Sequence, residues 1–388
     1  MPSVKVTVAP NVLEWVLKTA LKEGIADDLL AHFHKWRNNE KQPTFNQIEE
    51  FSRKTNIPLG YFFLQSPPYE PLPLLNFRTI DSTSRTNPSR ELIDTYYHMN
   101  AIQSWMRDYL LDSGNEKLSF VGSCKKEDKI EKIAASIRDT ISLDVAWYSQ
   151  SKNASDSFNF LRKRFESVGM LIMKNGVAGQ NTHRPLDVYE FRAFTLLDDY
   201  APLIFINSKD SHTGQLFSLA HEAAHLWLGL SSFYNDSSGM SFNVTPLEKI
   251  CNAVAGEIIA PKEVFIEMWS SNNLSINEKI ENLGRYFGCG KSVIIRKALD
   301  NNYITNDQYK IFIDEIINSF QAPVGKSKGG GNYYDTIKSR YSPRFILALA
   351  NSFQEGKTLF KEVHKLTGTK RESFNRFVDE VREDKNVQ

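Results

Sequence analysis

The chain has 388 residues, and its 47 Lys and Arg against 46 Asp and Glu give a net charge of +1 with histidines neutral. At roughly 150 residues per domain, the length predicts two or three domains. A composition of 41% hydrophobic and 24% charged residues excludes a disordered chain. The balanced charge removes any global electrostatic case for nucleic acid or an anionic membrane. No run approaches the ~18 uncharged apolar residues of a membrane span, so no membrane association is expected. The opening stretch MPSVKVTVAPNVLEW lacks a basic region followed by an apolar one, and no secretory leader is expected. Cys124, Cys251 and Cys289 stand far apart without a CxxC pair, which argues for a reduced, cytoplasmic setting and against a disulfide framework. Metal chemistry therefore falls to histidines and carboxylates.

From Val12 to Phe63 the pattern is helical, with Asn11 and Thr44 as candidate N-caps and Gly24 as a helix stop. The Pro-rich stretch QSPPYEPLPLLNF cannot continue a helix and places a boundary near Pro67–Pro73. Apolar residues then recur at helical spacing from Pro88 to about Phe165, with a polar loop near Ser113–Lys126. Three short runs read as strands: Gly169–Gly176, Phe191–Asp198 and Ala201–Asn207. A helix is predicted from Gly214 to about Gly229, then a polar loop SSFYNDSSGMSFN, then a helix starting at Thr245–Pro246. After Pro261 the pattern is mostly helical, broken by KSKGGGN at Lys326–Asn332. The fold class is α+β, with regions at 1–70, 71–270 and 271–388.

The chemistry concentrates in FSLAHEAAHLWLG, where His221, Glu222 and His225 form H-E-x-x-H on a helix. Histidines four apart share one helix face, so both imidazoles can meet one ion. Zn²⁺ suits two neutral imidazoles plus a carboxylate, and a bound zinc ion brings the pKa of water towards ~7. Mn²⁺ is accepted by the same donor set. Glu222 is placed to take the proton. A third histidine of the metzincin kind is excluded, because the required Gly and His positions hold Leu228 and Ser231. The remaining donors are Glu248, Glu257 and Glu263. Glu248 shares a face with Asn252 and Ala255, whereas Glu257 lies ~180° around the helix. Glu248 is the predicted ligand, Asn252 a hydrogen bonder orienting an imidazole, and Glu257 a solvated or salt-bridged surface carboxylate.

FSLAHEAAH followed by EKICNAVAGEIIAP, with the strand-ending IFIN (Ile204–Asn207) upstream, resembles the signature of ImmA/IrrE-type metallopeptidases. The resemblance implies a zincin-like core of gluzincin type, with His221, His225 and Glu248 as zinc ligands and Glu222 as the catalytic glutamate. Ala223 and Ala224 depart from the Leu-Gly common there. The N-terminal region, with Trp36, Pro43, Pro58, Phe62, Phe63, Phe77 and Arg78, is similar to the XRE-type helix-turn-helix fused ahead of such peptidases. The interval from Gly24 to Trp36 is short for a separate recognition helix, so both DNA binding and a packing or partner-docking role stay open. A second helix-turn-helix-like unit, INEKIENLGRYFGCGKSVIIRKALDNNYIT, carries Lys291, Arg296 and Lys297 as candidate DNA contacts. Its GCGKS is not a P-loop end, since the earlier glycine position holds Arg285 and a helix precedes it.

Two functions follow. In the first, the chain is a zinc-dependent endopeptidase, and the resemblance implies a repressor-like protein substrate in stress, phage or mobile-element regulation. In the second, it is a non-enzymatic regulator or antitoxin-like partner of a toxin, with a structural zinc. His183, His212, Tyr234 and Arg192 are eligible oxyanion stabilisers. Oligomeric state is not legible.

Overall fold

A computed structural model describes residues 4–20, 27–38, 40–70, 88–151, 153–234, 245–271, 273–320 and 333–386. The chain divides into two compact units, residues 1–73 with 88–93, and residues 74–87 with 94–388.

In the first unit, α1 (Pro10–Ala20), α2 (Asp27–Arg37) and α3 (Phe45–Thr55) precede a 3₁₀ turn at Leu59–Phe63. Their apolar stripes close on one small core. Val12 and Val16 meet Phe33, Trp36, Ile48, Phe51 and Phe62 there. Thr44 caps α3 as expected, in a reciprocal box with Gln47. Asn11 does not cap α1: the helix begins at Pro10, and the Asn11 side chain instead accepts from the Val12 N–H inside the first turn. Proline suits that first position because its φ is preset and no donor is needed there. The linker between α2 and α3, residues 38–44, is longer than the three- or four-residue turn of a helix-turn-helix. Phe77 and Arg78 lie outside the described residues.

The second unit holds most of α4 (Arg90–Asp112), then α5 (Ile130–Thr140), α6 (Ala154–Ser167), β1 (Leu171–Asn175), β2 (Ala193–Leu196) and β3 (Leu203–Asn207). After these come α7 (His212–Trp227), β4 (Ser232–Tyr234), α8 (Pro246–Ile259), α9 (Lys262–Ser270), α10 (Ile276–Tyr286) and α11 (Lys291–Asp300). The chain closes with α12 (Asn306–Phe320), α13 (Tyr333–Arg340), α14 (Pro343–Gln354), α15 (Phe360–Thr367) and α16 (Arg371–Asn386). β1, β2 and β3 fall inside the three runs read as strands. The stretch expected to be a polar loop after α7 opens instead with β4, and the KSKGGGN segment lies outside the described residues. Among the described residues no helix is long and apolar enough to cross a membrane.

The sheet has the order β1-β3-β2-β4, with β1 parallel to β3 and β2 antiparallel to both β3 and β4. Strand alternation sends side chains to opposite faces. On one face Ile172, Ala193, Ile204 and Ile206 join a core that also takes residues from α5 to α12. On the other face Phe194 stacks on Phe205 at 5.0 Å and meets Tyr96 of α4. α7 packs on β2 and β3 and against α6 and α8. It is buried over its last two-thirds on all sides, so small residues such as Ala220, Ala223 and Ala224 let those neighbours come close.

Candidate metal centre

The position of α7 is set at both ends. At its start the Ser211 hydroxyl accepts from the Gly214 N–H, 3.1 Å away. At its end, the N–H groups of Gly122 and Cys124 donate to the Leu226 and Trp227 carbonyls, each at 2.9 Å. This satisfies last-turn acceptors that burial would otherwise strand. Trp227 stacks on Phe120 with centroids 4.5 Å apart. Gly229 turns the chain away at φ +68°, and a Cβ there would stand 3.1 Å from the Gly122 Cα.

α8 brings the third donor. Thr245 caps it, Pro246 begins it, and Cys251, Val254, Ala255 and Ile258 form the stripe that faces the core. Glu248 lies one turn before Cys251 on that stripe, so packing α8 against α7 carries its carboxylate to the histidines. Its Oε2 lies 3.0 Å from His221 Nε2 and its Oε1 lies 3.4 Å from His225 Nε2. The two Nε2 atoms are 3.1 Å apart. One donor atom from each of the three residues falls within 4.8 Å of the others.

This donor set fits a zinc ion. Two ligands ~2.0–2.1 Å from a tetrahedral ion stand about 3.3 Å apart, close to the 3.1 Å between the two imidazole nitrogens and to the 3.0 and 3.4 Å at which the two Glu248 oxygens lie from them. Burial alone would raise the Glu248 carboxyl, but hydrogen bonds and charge from His221 and His225 hold it well below the usual carboxylate range. Its place in the first turn of α8 adds the favourable end of the helix dipole. Asn252 does not orient an imidazole as expected: its Oδ1 and the Nδ1 of His225 are buried without hydrogen-bond partners among the described residues.

Glu222 is fully buried beside this cluster. Its Oε2 accepts from the Thr195 hydroxyl at 2.5 Å and from the Ser232 hydroxyl, while its Oε1 has no partner among the described residues. Burial raises the Glu222 carboxyl, opposed by the charge of His225 and by the two hydroxyls. Thr195 and Ser232 were not singled out in the sequence. They face each other across β2 and β4, and the only local signal for Thr195 is a polar residue at an inward position of a buried strand.

The other candidates have different roles. Glu257 is salt-bridged, the second of the two expected states, but mostly covered rather than on the surface: its side chain is 12% exposed and pairs with Lys297 at 2.6 Å and Arg138 at 3.8 Å. Glu263 sits in the first turn of α9. Arg192 pairs with Asp210 at 2.7 Å, His183 is exposed, and His212 is exposed in the first turn of α7. His212 thus stands nine residues, about 13 Å, along the helix from His221. The backbone of Tyr234 lies in β4. Of the basic residues on α11, Lys297 is buried against Glu257 and cannot meet DNA as expected. Lys291 pairs with Glu281 and Arg296 with Asp300.

The family described as IrrE N-terminal-like domain (Peptidase M78) matches residues 165–299, about a third of the chain. A domain of unknown function (DUF8813) matches residues 341–380. No curated protein and no solved structure matches. The first match spans β1 to α11 and so contains all four residues of the cluster. It supports an ImmA/IrrE-type, metallopeptidase-like domain there and does not extend to the N-terminal helices.

Proposed function

We propose that the chain is a zinc-dependent endopeptidase that cuts a protein substrate, a transcriptional repressor of the helix-turn-helix class. The observation that carries this reading is the convergence of His221, His225 and Glu248, with Glu222 buried beside them. Zinc in a His₂Glu donor set supplies Lewis-acid polarisation of a peptide carbonyl and of the attacking water. Glu222 takes the proton of that water on Oε1, the oxygen without a hydrogen bond. The water oxygen stays on the acyl carbon, the C–N bond breaks, and Glu222 returns the proton to the departing amine nitrogen. Glu248, whose two oxygens lie against the His221 and His225 Nε2 atoms, serves as a ligand rather than the base. The repressor class rests on the sequence resemblance, and the N-terminal unit is the proposed docking module for that substrate.

The test is incubation of the zinc-loaded protein with the repressor encoded beside it. Cleavage by the native chain and none by Glu222→Gln sustains the reading. An intact repressor, together with an unaltered cellular effect of Glu222→Gln, overturns it. The near-complete burial of His221, Glu222 and His225 favours a second reading, since a catalytic site must admit a substrate and these side chains are covered. In that reading the chain is a non-enzymatic regulator or antitoxin-like partner. Glu222→Gln, which leaves all three ligands in place, would then keep both zinc and biological effect.

A further inference from the structure

Resting on the peptidase reading, we propose that Thr195 and Ser232 are positioning residues: a hydroxyl clamp that holds Glu222 as a base outside the ligand set of the metal. The clamp is built by strand register. β2 and β4 pair antiparallel with Thr195 opposite Ser232, so both side chains leave the sheet on the same face. That face also carries Ala193 and Ile204, which join the core formed with α7. The start of β4 is pinned by the Leu197 N–H, which donates to the Ser231 hydroxyl at 3.1 Å. Both clamp residues are at most 2% exposed.

The distribution of donors is uneven, and that unevenness is informative. A carboxylate offers about four lone-pair sites over two oxygens, and a buried one is best satisfied when donors reach both. Here both hydroxyls reach Oε2, the Thr195 hydroxyl at 2.5 Å, far closer than to the Glu222 backbone carbonyl at 3.4 Å, and Oε1 is left bare. The Thr195 side chain is stiff at χ1 because it is β-branched, so Oε2 is held at a fixed place. One oxygen is anchored to the sheet and the other is left for chemistry. Without the anchor, a flexible glutamate between two ligating histidines would have nothing on the sheet to hold it off the ion.

Cobalt(II) reads this directly, because four-coordinate cobalt absorbs visible light more strongly than five-coordinate cobalt. Chelator-treated full-length protein is titrated with CoCl₂, alongside Thr195→Val with Ser232→Ala, Thr195→Ser, and Glu222→Gln. The clamp predicts one equivalent of cobalt in every form. It predicts a several-fold loss of visible absorbance in the double variant, as the freed carboxylate joins the ion. Thr195→Ser, which keeps a hydroxyl, is expected to retain the native spectrum. Adding Glu222→Gln to the double variant is expected to restore it. An unchanged spectrum in a folded double variant overturns the clamp. If the native chain takes up no cobalt at all, the metallopeptidase reading itself falls. Should the double variant not fold, each single variant is expected to lose part of the absorbance, and no loss in either overturns the clamp. With a cleaved substrate, Thr195→Val should lower kcat by about 100-fold at unchanged KM, since a general base contributes roughly 10²–10⁴.

Discussion

Replacing Glu257 by glutamine removes the carboxylate shared by Lys297 on α11 and Arg138 on α5, and it separates a structural acid from Glu248, the proposed ligand on the same helix. The Lys297 Nζ lies 2.6 Å from one Glu257 oxygen and the Arg138 guanidinium 3.8 Å from the other. Arg138 also donates to the Glu257 backbone carbonyl. Breaking a buried ion pair costs about 3–5 kcal/mol, because it strands the remaining charge. All three side chains are 11–12% exposed, so the lower end, about 3 kcal/mol, is expected. At ~2 °C per kcal/mol for a large domain, that is a fall of about 6 °C in melting temperature. Burial already lowers the Lys297 ammonium below its ordinary value, and Glu257 opposes that shift. Without Glu257 the folded-state lysine should lose its proton at a still lower pH than the unfolded one. The unfolded state then binds more protons, so stability rises with pH and the deficit narrows between pH 7 and the ordinary lysine value of ~10.4. Urea unfolding followed by circular dichroism at pH 7 and 9.5, with metal content measured on the same sample, is the assay. A deficit under about 1 kcal/mol at pH 7, or loss of the bound metal, would refute the reasoning.

Two further outcomes test the packing around the site. Burial pushes the Cys289 thiol up to about 12, so iodoacetamide at pH 8 should leave it unlabelled in the native protein and label it in urea; native-state labelling, read by peptide mass spectrometry, contradicts this. Gly229→Ala should destabilise by about 1–2 kcal/mol, because φ is +68° and the new methyl would meet the Gly122 Cα at 3.1 Å. A melting temperature within 1 °C of the native value, on the order of the noise allowed by that cost, would show that the crossing of these two glycines is not tight.

How much of this was legible in the sequence differs by the range of the interaction. His221, Glu222 and His225 are marked by the H-E-x-x-H motif on one helix turn, and Glu248 by its shared face with Asn252 and Ala255; the structure brings His221, His225 and Glu248 together. Helical periodicity put Glu257 on the opposite side of α8 from Glu248. What it could not supply were its partners, Arg138 and Lys297, which come from α5 and α11. Without them a solvated and a salt-bridged Glu257 cannot be told apart, and Lys297 reads as a candidate DNA contact. β4 was missed because three residues inside a polar stretch show no alternation. Its register against β2, which aligns Ser232 with Thr195, is a tertiary fact with no local signature. Asn252 shares the helix face of Glu248 yet makes no bond to an imidazole, because a shared face fixes direction but not reach.

The central claim is that His221, His225 and Glu248 grip one metal ion. Elemental analysis of protein purified without chelators, beside His225→Ala and Glu248→Gln, tests it most directly. The account predicts about one equivalent of zinc or manganese per native chain, in keeping with one His₂Glu site, and a near-complete loss in both variants. A metal-free native chain, or variants that keep their full complement, would contradict it.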